Sequence, residues 1–473
     1  MDAAELTLTQ ASRAIAQGKL SPVELLDAVL VRLAEVEPQL NATGNATGTM
    51  LDEQARASAR AAERDIAHSG PRGPLHGIPV SIKEIADLAG LPTLAGSAAR
   101  AAEPSAYLAG HDAVAVRRLR EAGAVPFATS RSHELAYGIT TPQTRNPWRT
   151  DRSPGGSSGG AAALVAARCG PVALGTDTAG SVRIPAAVCG VVGLKPTPCL
   201  VSSVGIMPLA QSLDTVGPLG RTVDDTAAML AVLAGTHSGE LALGSGVPGT
   251  GPSSVLSGLR VGVPTTYFFD GCDREIAAAV QRAITTLTEL GAQTREVALA
   301  NGKELAVAGG IVVGAEAHSE HRRHLEETPE ALTDEVRQKL TVGRDITAAD
   351  YLDALHVLRS LSRRWELALA DIDVLVSPTL PTTARPFGAA STDPDQDPHT
   401  RHTRLTQPAN LTGRPAITVP CGLDSAGIPI GLQLLGQPRQ EATMLAVARA
   451  FEATTDWPER IPPVADAPLE ATQ

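Results

Sequence analysis

The stretch TDTAGSVRIPA, residues 176–186, places Ser181 among small and hydroxyl-bearing residues, with no histidine beside it. Such a serine has two explanations, because small residues let backbones pack closely and a hydroxyl on a tight turn can act as a nucleophile. A serine nucleophile needs a base that takes its proton during the attack. Without a histidine nearby, that base must be a different side chain.

A second candidate stretch is SPGGSSGGAAALVAARCG, residues 153–170, where a glycine-rich turn leads into an alanine-rich helix. Such a turn presents backbone amides at a helix N-terminus. It contains GSSGG, which matches the hydrolase pattern GxSxG with Ser158 at its centre. That pattern requires a strand directly before it and a histidine late in the chain. The preceding TDRSP is typical of a loop, and His399 and His402 lie in a polar loop, so this assignment is disfavoured.

A phosphate-binding loop is a third possibility for the glycine-rich region. GVVGLKPT, residues 190–197, lacks the GxxxxGK[ST] spacing and has proline after its lysine. We therefore do not expect a nucleotide phosphate at this position.

Composition limits the class of protein. The chain has 473 residues, of which 43% are apolar and 19% charged, as in ordinary globular enzymes. A net charge of −11 and an aromatic content of 3% argue against nucleic acid as a direct partner. The five scattered cysteines form no CxxC pair, which favours a reducing cytoplasm over a disulfide scaffold. The N-terminus resembles neither a signal peptide nor a membrane span, and the alanine-rich composition suggests a bacterial source.

The segments that must position these residues alternate between helix and strand patterns. Helices are predicted at 21–36, 51–68, 112–122, 222–234, 273–290, 316–327, 347–370 and 440–452. The first of them begins with Ser21 as N-cap, Pro22 at N1 and Glu24 at N3. Strands are predicted at 78–84, 125–129, 173–177, 259–264, 372–381, 415–422 and 428–436. This alternation predicts the α/β class.

We expect one domain over residues 1–473, because no internal repeat and no linker divides the chain. Its parts are N-terminal helices at 1–70, a core segment at 71–235 and a C-terminal part at 259–473. Residues 236–258 are the least patterned stretch and are predicted to be a surface excursion.

A dense series of segments resembles the amidase signature family. The family hallmark is a Gly/Ser-rich motif followed by a GTDTGGSIR-like turn, and this chain has PGGSSGGAAALVAARCGPVALGTDTAGSVRIPAAVCGVVGLKPT at 154–197. The resemblance extends from SPVELLDAVL through HGIPVSIKE, RNPW and SLDTVGPLGRTVDD to DVLVSPTLP and GRPAITVPCG. It implies a layered α/β/α domain around a large mixed sheet, and an amide hydrolase that needs no cofactor and no metal.

The resemblance also implies a role for each candidate residue. Ser181 falls on the nucleophile, Lys83 on the general base, and Ser157 on a bridging serine that follows a cis peptide bond. The implied oxyanion hole consists of the backbone amides of Thr178, Ala179, Gly180 and Ser181. These assignments answer the question of the missing histidine, since the base is a lysine reached through a second hydroxyl.

Elementary chemistry supports these roles. A lysine accepts a proton only when it is neutral, and its reference pKa is about 10.4. Burial away from water disfavours the ammonium and lowers that pKa, which would make Lys83 a base. Ser157 would then pass the proton from Ser181 to Lys83 and later return it to the departing amine. A turn of small residues exposes consecutive amides, and one oxyanion donor is worth about 2.7–4 kcal/mol.

The chain departs from the family pattern near the expected site. Ala179 stands where glycine is usual, and Glu84–Ile85 follows the lysine where Asp-Asn is common. Thr129–Ser130–Arg131 replaces a frequent KTN beside the expected substrate entrance. Arg131 is therefore a candidate for binding an anionic substrate, and the alternative is a solvated or internally paired arginine.

Charged neighbours of the nucleophile are assigned structural roles. Asp177 and Arg183 flank Ser181 and are expected to clamp its turn through a charge-assisted pair. Asp214 in SLDTVGP is placed in the same structural group.

The histidines and cysteines discussed next are not assigned a catalytic role. His318, His321 and His324 recur at a spacing of three, which is compatible with a metal site, but we expect a solvated polar helix face. Cys169 and Cys189 are expected to be buried as small apolar residues.

The preferred function is that of an amidase acting on a small-molecule amide, with no membrane partner and a homodimer as a possible assembly. The alternative is the glutaminase subunit of a tRNA-dependent amidotransferase, which passes ammonia to a partner. That subunit usually reads IRQPA where this chain has Ile184 in VRIPA, and its acidic residue is replaced by Thr403 and Arg404 before PANLTG. A non-catalytic binding protein of this fold is a third hypothesis. It would be expected to have lost one of the three reactive residues, and all three are present.

Overall fold

A mixed sheet forms the centre of the computed structural model, which describes residues 2–44, 49–235, 255–299, 301–388 and 402–465. Within these ranges the sheet has ten strands. They are β1 (Pro79–Lys83), β2 (Val125–Ser130), β3 (Val172–Asp177), β4 (Val192–Lys195), β5 (Thr215–Gly220), β6 (Arg260–Pro264), β7 (Gln293–Val297), β8 (Val374–Pro378), β9 (Ala416–Leu423) and β10 (Pro429–Gly436).

The order of the strands is β2-β1-β3-β5-β4-β9-β10-β8-β6-β7. The two ends of the sheet, β2-β1-β3 and β8-β6-β7, are parallel. The strands between them, from β3 through β5, β4, β9 and β10 to β8, pair antiparallel. The predicted α/β class and the large mixed sheet are confirmed.

The helices surround this sheet. They are α1 (Leu8–Ala16), α2 (Pro22–Leu40), α3 (Thr49–Ser69), α4 (Ala98–Ala102), α5 (Val114–Glu121), α6 (Gly159–Ala166), α7 (Arg183–Cys189), α8 (Val223–Ala234), α9 (Arg274–Glu289), α10 (Gly302–Glu327), α11 (Asp334–Arg344), α12 (Ala348–Ala368), α13 (Gln407–Leu411) and α14 (Glu441–Glu452).

Alternation along β3 shows how the layers are arranged. Val172 and Leu174 belong to an apolar cluster that also holds buried side chains of α1, α5, α8, α9 and α14. Ala173, between them in sequence, belongs to another cluster that is built on α6 and α7. Successive side chains of a strand point to opposite faces of the sheet. Helices α6 and α7 therefore cover one face, and α1, α5, α8, α9 and α14 cover the other.

The first predicted helix has the capping box that the sequence indicates. Ser21 Oγ accepts a hydrogen bond from the Glu24 amide at 3.1 Å, and the Glu24 carboxylate accepts one from the Ser21 amide at 2.8 Å. The helix continues to Leu40, four residues beyond the predicted end at Val36. Val36 and Leu40 are both buried against α6, so tertiary packing extends the helix.

Strands of the two halves of the chain form one continuous sheet, in which β4 of the first half pairs with β9 of the second. This continuity supports our proposal of one domain. Of the predicted surface excursion, residues 236–254 lie outside the described residues, whereas Leu256 is buried in the core.

Two further expectations concern membranes and cysteines. Among the described residues, no helix combines the length and the apolar character needed to cross a bilayer. All five cysteines are free, and Cys169 and Cys189 are buried as expected. Burial raises the pKa of both thiols, which makes them unreactive.

A buried guanidinium ties α7 to the sheet and to α13. Arg183 Nη2 and Nε donate to the Asp177 carboxylate at 2.8 and 3.0 Å, and both side chains are fully buried. Arg183 Nη1 and Nη2 also donate to the side-chain oxygens of Gln433 on β10 and Asn410 on α13, each at 2.7 Å. Burial alone would raise the pKa of Asp177, but the charge and hydrogen bonds of Arg183 lower it to about 2. The expected clamp is therefore present as an ionised, fully bonded pair.

We predict that Arg183→Met lowers the free energy of unfolding by about 3–5 kcal/mol, because it leaves Asp177 buried without its counter-charge. The measurement is the midpoint of urea unfolding at neutral pH. The control is Arg363→Met, which removes a solvent-exposed pair with Glu366 and is expected to leave the midpoint almost unchanged. Equal midpoints for the two variants would contradict the structural role of the buried pair.

Candidate active site

The candidate site lies at the carboxyl ends of β1 and β3, which are parallel neighbours. Lys83 is the last residue of β1, and β3 ends with Thr176 and Asp177 before the turn that leads into α7. Loops that follow parallel strands meet at one edge of a sheet, where α/β proteins commonly bind their ligands. The fold therefore brings Lys83 and the Ser181 turn to the same edge.

Lys83 makes two contacts with hydroxyls at the centre of the site. Its Nζ lies 2.8 Å from Ser157 Oγ and 2.8 Å from Thr176 Oγ1. The side chain is fully buried. Desolvation lowers the pKa of Lys83 from 10.5 to about 7, against the opposing influence of Asp214, Asp177 and Glu84. The amine is thus neutral in a substantial fraction of molecules at neutral pH.

Ser157 follows a cis peptide bond with Gly156, as the sequence resemblance implies. The surrounding glycines are required by close backbone approach. A Cβ on Gly156 would fall on the carbonyl group of Thr140, and one on Gly160 would lie 2.5 Å from the carbonyl oxygen of Ala42. Ser157 is also held by its own carbonyl, which accepts a hydrogen bond from the His133 amide at 3.2 Å.

Ser158, the centre of the GxSxG match, has a different environment. Its hydroxyl contacts the carbonyl oxygen and the amide of Thr176 at 3.2 and 3.3 Å, and the side chain is fully buried. These contacts fasten the start of α6 to β3. Of the two late histidines, His402 lies 3.2 Å from the Thr382 hydroxyl, and His399 lies outside the described residues. The geometry gives Ser158 a structural role.

Ser181 is the member of the group that reaches solvent, with 8% of its surface exposed against none for Lys83 and Ser157. Its carbonyl accepts a hydrogen bond from the Ser158 amide at 3.1 Å, which places the turn beside the Gly/Ser-rich stretch. In the described residues no hydrogen bond joins the hydroxyls of Ser157 and Ser181. A proton relay between them therefore requires a rotation of one hydroxyl, which catalytic groups commonly make when substrate binds.

The turn before Ser181 contains the candidate oxyanion donors. The amides of Thr178, Ala179 and Ser181 form no hydrogen bond within the ranges that the structure describes. The Gly180 amide, in contrast, donates to Asp177 Oδ1 at 2.9 Å. The buried Asp177 carboxylate thus takes the Gly180 amide in this structure, and a role for that amide in an oxyanion hole stays a prediction.

Gly180 and Ala179 show which side chains this turn tolerates. Gly180 has a φ of +129°, and a Cβ there would collide with the Thr406 side chain. Ala179 carries the extra methyl group without such a conflict and is 7% exposed. The departure from the usual glycine is thus compatible with the same turn.

Asp214 supports the turn from the other side. Its carboxylate accepts hydrogen bonds from the Thr178 hydroxyl at 2.5 Å and from the amides of Leu209 and Ala210 at 2.8 and 3.1 Å. Burial raises the pKa of Asp214 to about 6. These contacts agree with the structural role expected for this residue.

Two residues of this site were not singled out in the sequence. Thr176 supplies the second hydroxyl contact of Lys83, and His133 supplies the amide that binds the Ser157 carbonyl. The signal for Thr176 was its position at the end of a predicted strand, next to Asp177. His133 had no such signal, because its contribution is a backbone amide in a loop.

Glu84 replaces the aspartate that is common after the lysine. Its carboxylate accepts a hydrogen bond from the Ser132 amide at 2.8 Å and thereby holds the segment that follows β2. The longer side chain thus has a positioning role beside the base.

Arg131 contributes its backbone to the site. Its amide donates to the Ala42 carbonyl at 2.9 Å, and its carbonyl accepts from the Gly160 amide at 3.1 Å. The guanidinium has no hydrogen-bond or ion-pair partner in the described part of the chain. The internal pairing considered as an alternative is absent there, and substrate binding by Arg131 stays a prediction.

Of the three histidines of α10, His321 is buried, and His318 and His324 are half-buried. His321 is 3% exposed, and its ring stacks on that of His324 with centroids 6.3 Å apart. His318 Nδ1 lies 3.0 Å from the Leu340 carbonyl of α11. Burial, with a smaller contribution from His324, lowers the pKa of His321 to about 4. The expectation of a solvated face is therefore wrong for His321, which is buried, whereas His318 and His324 stay partly exposed. The described residues contain no group of three or more His, Cys, Asp or Glu side chains able to hold a metal.

Known proteins match the chain along nearly its whole length. The family model named Amidase matches residues 24–445. An amidase of Pseudomonas putida is 41% identical over 465 residues, which cover 97% of each chain. A glutamyl-tRNA(Gln) amidotransferase subunit from Roseiflexus sp. strain RS-1 is 40% identical over 98% of this chain and 99% of its own.

Solved structures agree with these matches. A crystal structure of an amidase superposes with a TM-score of 0.84 at 34% identity, covering 95% of this chain and all of the other. Because the family model covers most of the chain and the relatives match along its whole length, this protein belongs to the amidase family.

Proposed function

We propose that the protein is an amidase that hydrolyses a carboxylic amide through an acyl-enzyme on Ser181. The observation that carries the proposal is the 2.8 Å contact between Ser157 Oγ and a fully buried Lys83 whose pKa is about 7. A buried neutral amine joined to a hydroxyl is a suitable base for a serine nucleophile. Family membership makes an amide the natural substrate class.

In the proposed acylation, Ser181 Oγ attacks the amide carbon while its proton passes through Ser157 to Lys83. The tetrahedral oxyanion is stabilised by the free amides of the Thr178–Ser181 turn. The carbon–nitrogen bond then breaks, and the proton returns from Lys83 through Ser157 to the leaving nitrogen. Lys83 is neutral again at the end of this step.

In the proposed deacylation, water attacks the acyl carbon of the ester on Ser181. The same relay takes a proton from the water and gives one back to Ser181 Oγ as the ester bond breaks. All proton transfers use this chain's own side chains, so the cycle closes without a cofactor.

A second candidate is the glutaminase subunit of a tRNA-dependent amidotransferase, which shares the family and is represented among relatives of 40% identity. The amidase is favoured by Ile184, which is buried at the start of α7 within 3.0 Å of where a Gly180 Cβ would lie. An apolar side chain beside the nucleophile suits a less polar amide better than glutamine. A cytoplasmic location and a homodimer remain proposals, the former supported by the five free cysteines.

One prediction of this proposal concerns the nucleophile and the need for a partner protein. The purified chain alone is expected to release ammonia or amine from a panel of aryl and alkyl amides, and Ser181→Ala to abolish this activity. A fluorophosphonate probe should label the peptide that contains Ser181 in the unaltered protein.

The matched control is Ser158→Ala, which removes the neighbouring hydroxyl and is expected to retain labelling on Ser181. Labelling of Ser158 instead would refute the assigned nucleophile. Ammonia release that requires both glutamine and a partner protein would favour the amidotransferase reading of the family.

Another prediction of this proposal concerns the base. Because Lys83 must be neutral, kcat/KM is expected to rise with pH through about 7 and to level off above it. Lys83→Met should lower kcat/KM by about 10²–10⁴-fold while the protein stays folded. The exposed Lys303→Met serves as control and should keep both the activity and the pH profile. A Lys83→Met variant with most of its activity would show that another group is the base.

A further inference from the structure

A small cavity with an arginine-rich lining lies away from the candidate active site. Its volume is about 10 Å³, which is enough for one guest of roughly the size of a water molecule. Among its lining residues are Arg168, Arg221 and Arg460, together with the rings of Trp148 and Trp457. The cavity is therefore small and lined by three guanidinium groups, of which that of Arg460 is paired with Asp456 at 2.9 Å.

The position of the cavity is fixed by the sheet. Arg221 directly follows Gly220, which pairs with Val172 at the beginning of β3, whereas Thr215 pairs with Asp177 at its end. Five residue steps along a strand correspond to about 17 Å. The cavity and the turn that carries Ser181 therefore lie at opposite ends of strands β3 and β5. The cavity is thus separate from the site described above.

One side of the Arg221 guanidinium, formed by Nε and Nη2, has no hydrogen-bond partner in the described residues. The residue is 4% exposed, and Nη1 donates to the Glu5 carbonyl at 2.7 Å. Its Nε and Nη2 are buried and have no partner in the described residues. This is the pair of atoms with which Arg183 and Arg260 each hold a carboxylate. Burying these two donors without an acceptor lowers the stability of the folded protein, unless a bound group accepts their hydrogen bonds.

Arg168 adds a further donor. It is 5% exposed, and Nη2 donates to the carbonyls of Pro458 and Arg460 at 3.1 and 2.8 Å. Its Nε is buried without a partner in the part of the chain that the structure describes. Two neighbouring guanidinium groups therefore bring three unpaired nitrogens to the same buried region.

The arginine and tryptophan side chains that line the cavity are hydrogen-bond donors. The indole nitrogens of Trp148 and Trp457 already donate to the carbonyls of Cys189 and Gly190 at 2.9 and 2.6 Å. None of the eleven residues that line the cavity carries a carboxylate, amide or hydroxyl side chain. The carbonyls of Gly190, Pro458 and Arg460 already accept hydrogen bonds from Trp457 and Arg168. The unpaired nitrogens of Arg168 and Arg221 are all donors, and an anion accepts from them without presenting hydrogens of its own.

Carboxylates near Arg221 do not occupy its free edge. Asp225 and Glu5 interact with Arg221 electrostatically, and neither lines the cavity. Asp225 Oδ1 is bound by the amide and hydroxyl of Thr9 at 3.0 and 3.2 Å. In the described residues no ion pair joins Asp225 to Arg221, although Asp225 Oδ2 is also buried without a partner.

We propose that this cavity is a binding site for a single monatomic anion of halide type, held by the Nε and Nη2 groups of Arg221 and the Nε group of Arg168. The small volume excludes sulfate and phosphate, and the donor lining selects a negative charge. Chloride is the halide available to a cell. Its charge offsets the mutual repulsion of two buried guanidinium groups.

The site has a structural consequence for the candidate active site. Ala166 at the end of α6 and Cys189 at the end of α7 both line the cavity. These two helices begin next to Ser157 and Ser181. The anion is therefore expected to stabilise the ends of the helices that carry the reactive serines at their beginnings.

The test is crystallisation in sodium bromide, with anomalous scattering used to locate the ion. We expect a bromide peak in the cavity within hydrogen-bonding distance of Arg221 Nε and Nη2, and its loss in Arg221→Gln. Arg168→Lys, which keeps the charge and removes the Nε donor, should weaken the peak and serves if Arg221→Gln does not fold. Arg117→Gln, on an exposed part of α5, is the control and should leave the peak unchanged.

A solution measurement accompanies the crystals. At matched ionic strength, chloride is expected to raise Tm above its value in gluconate, saturably and by about 2 °C, in the unaltered protein and in Arg117→Gln. Arg221→Gln should lose this difference. A water molecule in the cavity with no bromide peak, bromide on exposed arginines only as an adventitious ion, or equal Tm in both salts would overturn the proposal.

Discussion

The burial of one lysine amine is the constraint on which the candidate active site depends. Lys83 ends a strand inside the sheet, and its contacts there are the neutral hydroxyls of Ser157 and Thr176. Three carboxylates, of Asp214, Asp177 and Glu84, lie close enough to favour the charged form of the amine. Each of them is already bound elsewhere, to the Thr178 hydroxyl, to the Arg183 guanidinium and to the Ser132 amide. Desolvation therefore outweighs their attraction, and the pKa of Lys83 falls to about 7.

The other residues of the site are determined by the close approach of backbone segments to the Lys83 amine. Small residues let α6 and α7 begin beside the strand ends, as the tight space around Gly156 and Gly180 shows. The Asp177–Arg183 pair then fixes the turn between them, and the same carboxylate removes Gly180 from the set of free amides. Stability and chemistry thus share one ionic interaction. The arginine-lined cavity adds a second charged centre at the far ends of the same two helices.

Much of this arrangement could be predicted from the sequence, because the motif residues and the flanking periodic segments are local signals. The capped helix after Ser21 and the buried strands β1, β3 and β10 have clear patterns. Strand β5 was missed because its TVGPLG sequence contains glycine and proline, and β7 because four of its five residues are exposed. The contact of Thr176 with Lys83 and the burial of His321 depend on neighbours distant in sequence. No local pattern contains that information.

The central claim is that Lys83 is a neutral base near neutral pH. The most direct measurement is an NMR titration of the Lys83 Cε signal in protein labelled with ¹³C-lysine, assigned by its absence in Lys83→Arg. Our account predicts a midpoint near pH 7. Burial lowers the pKa of Lys195 to about 7 as well, so the Lys83 signal is identified by its loss in Lys83→Arg and the Lys195 signal by its loss in Lys195→Arg. A midpoint at the ordinary value near 10.5 would show that the amine is charged under working conditions and would contradict the proposed relay.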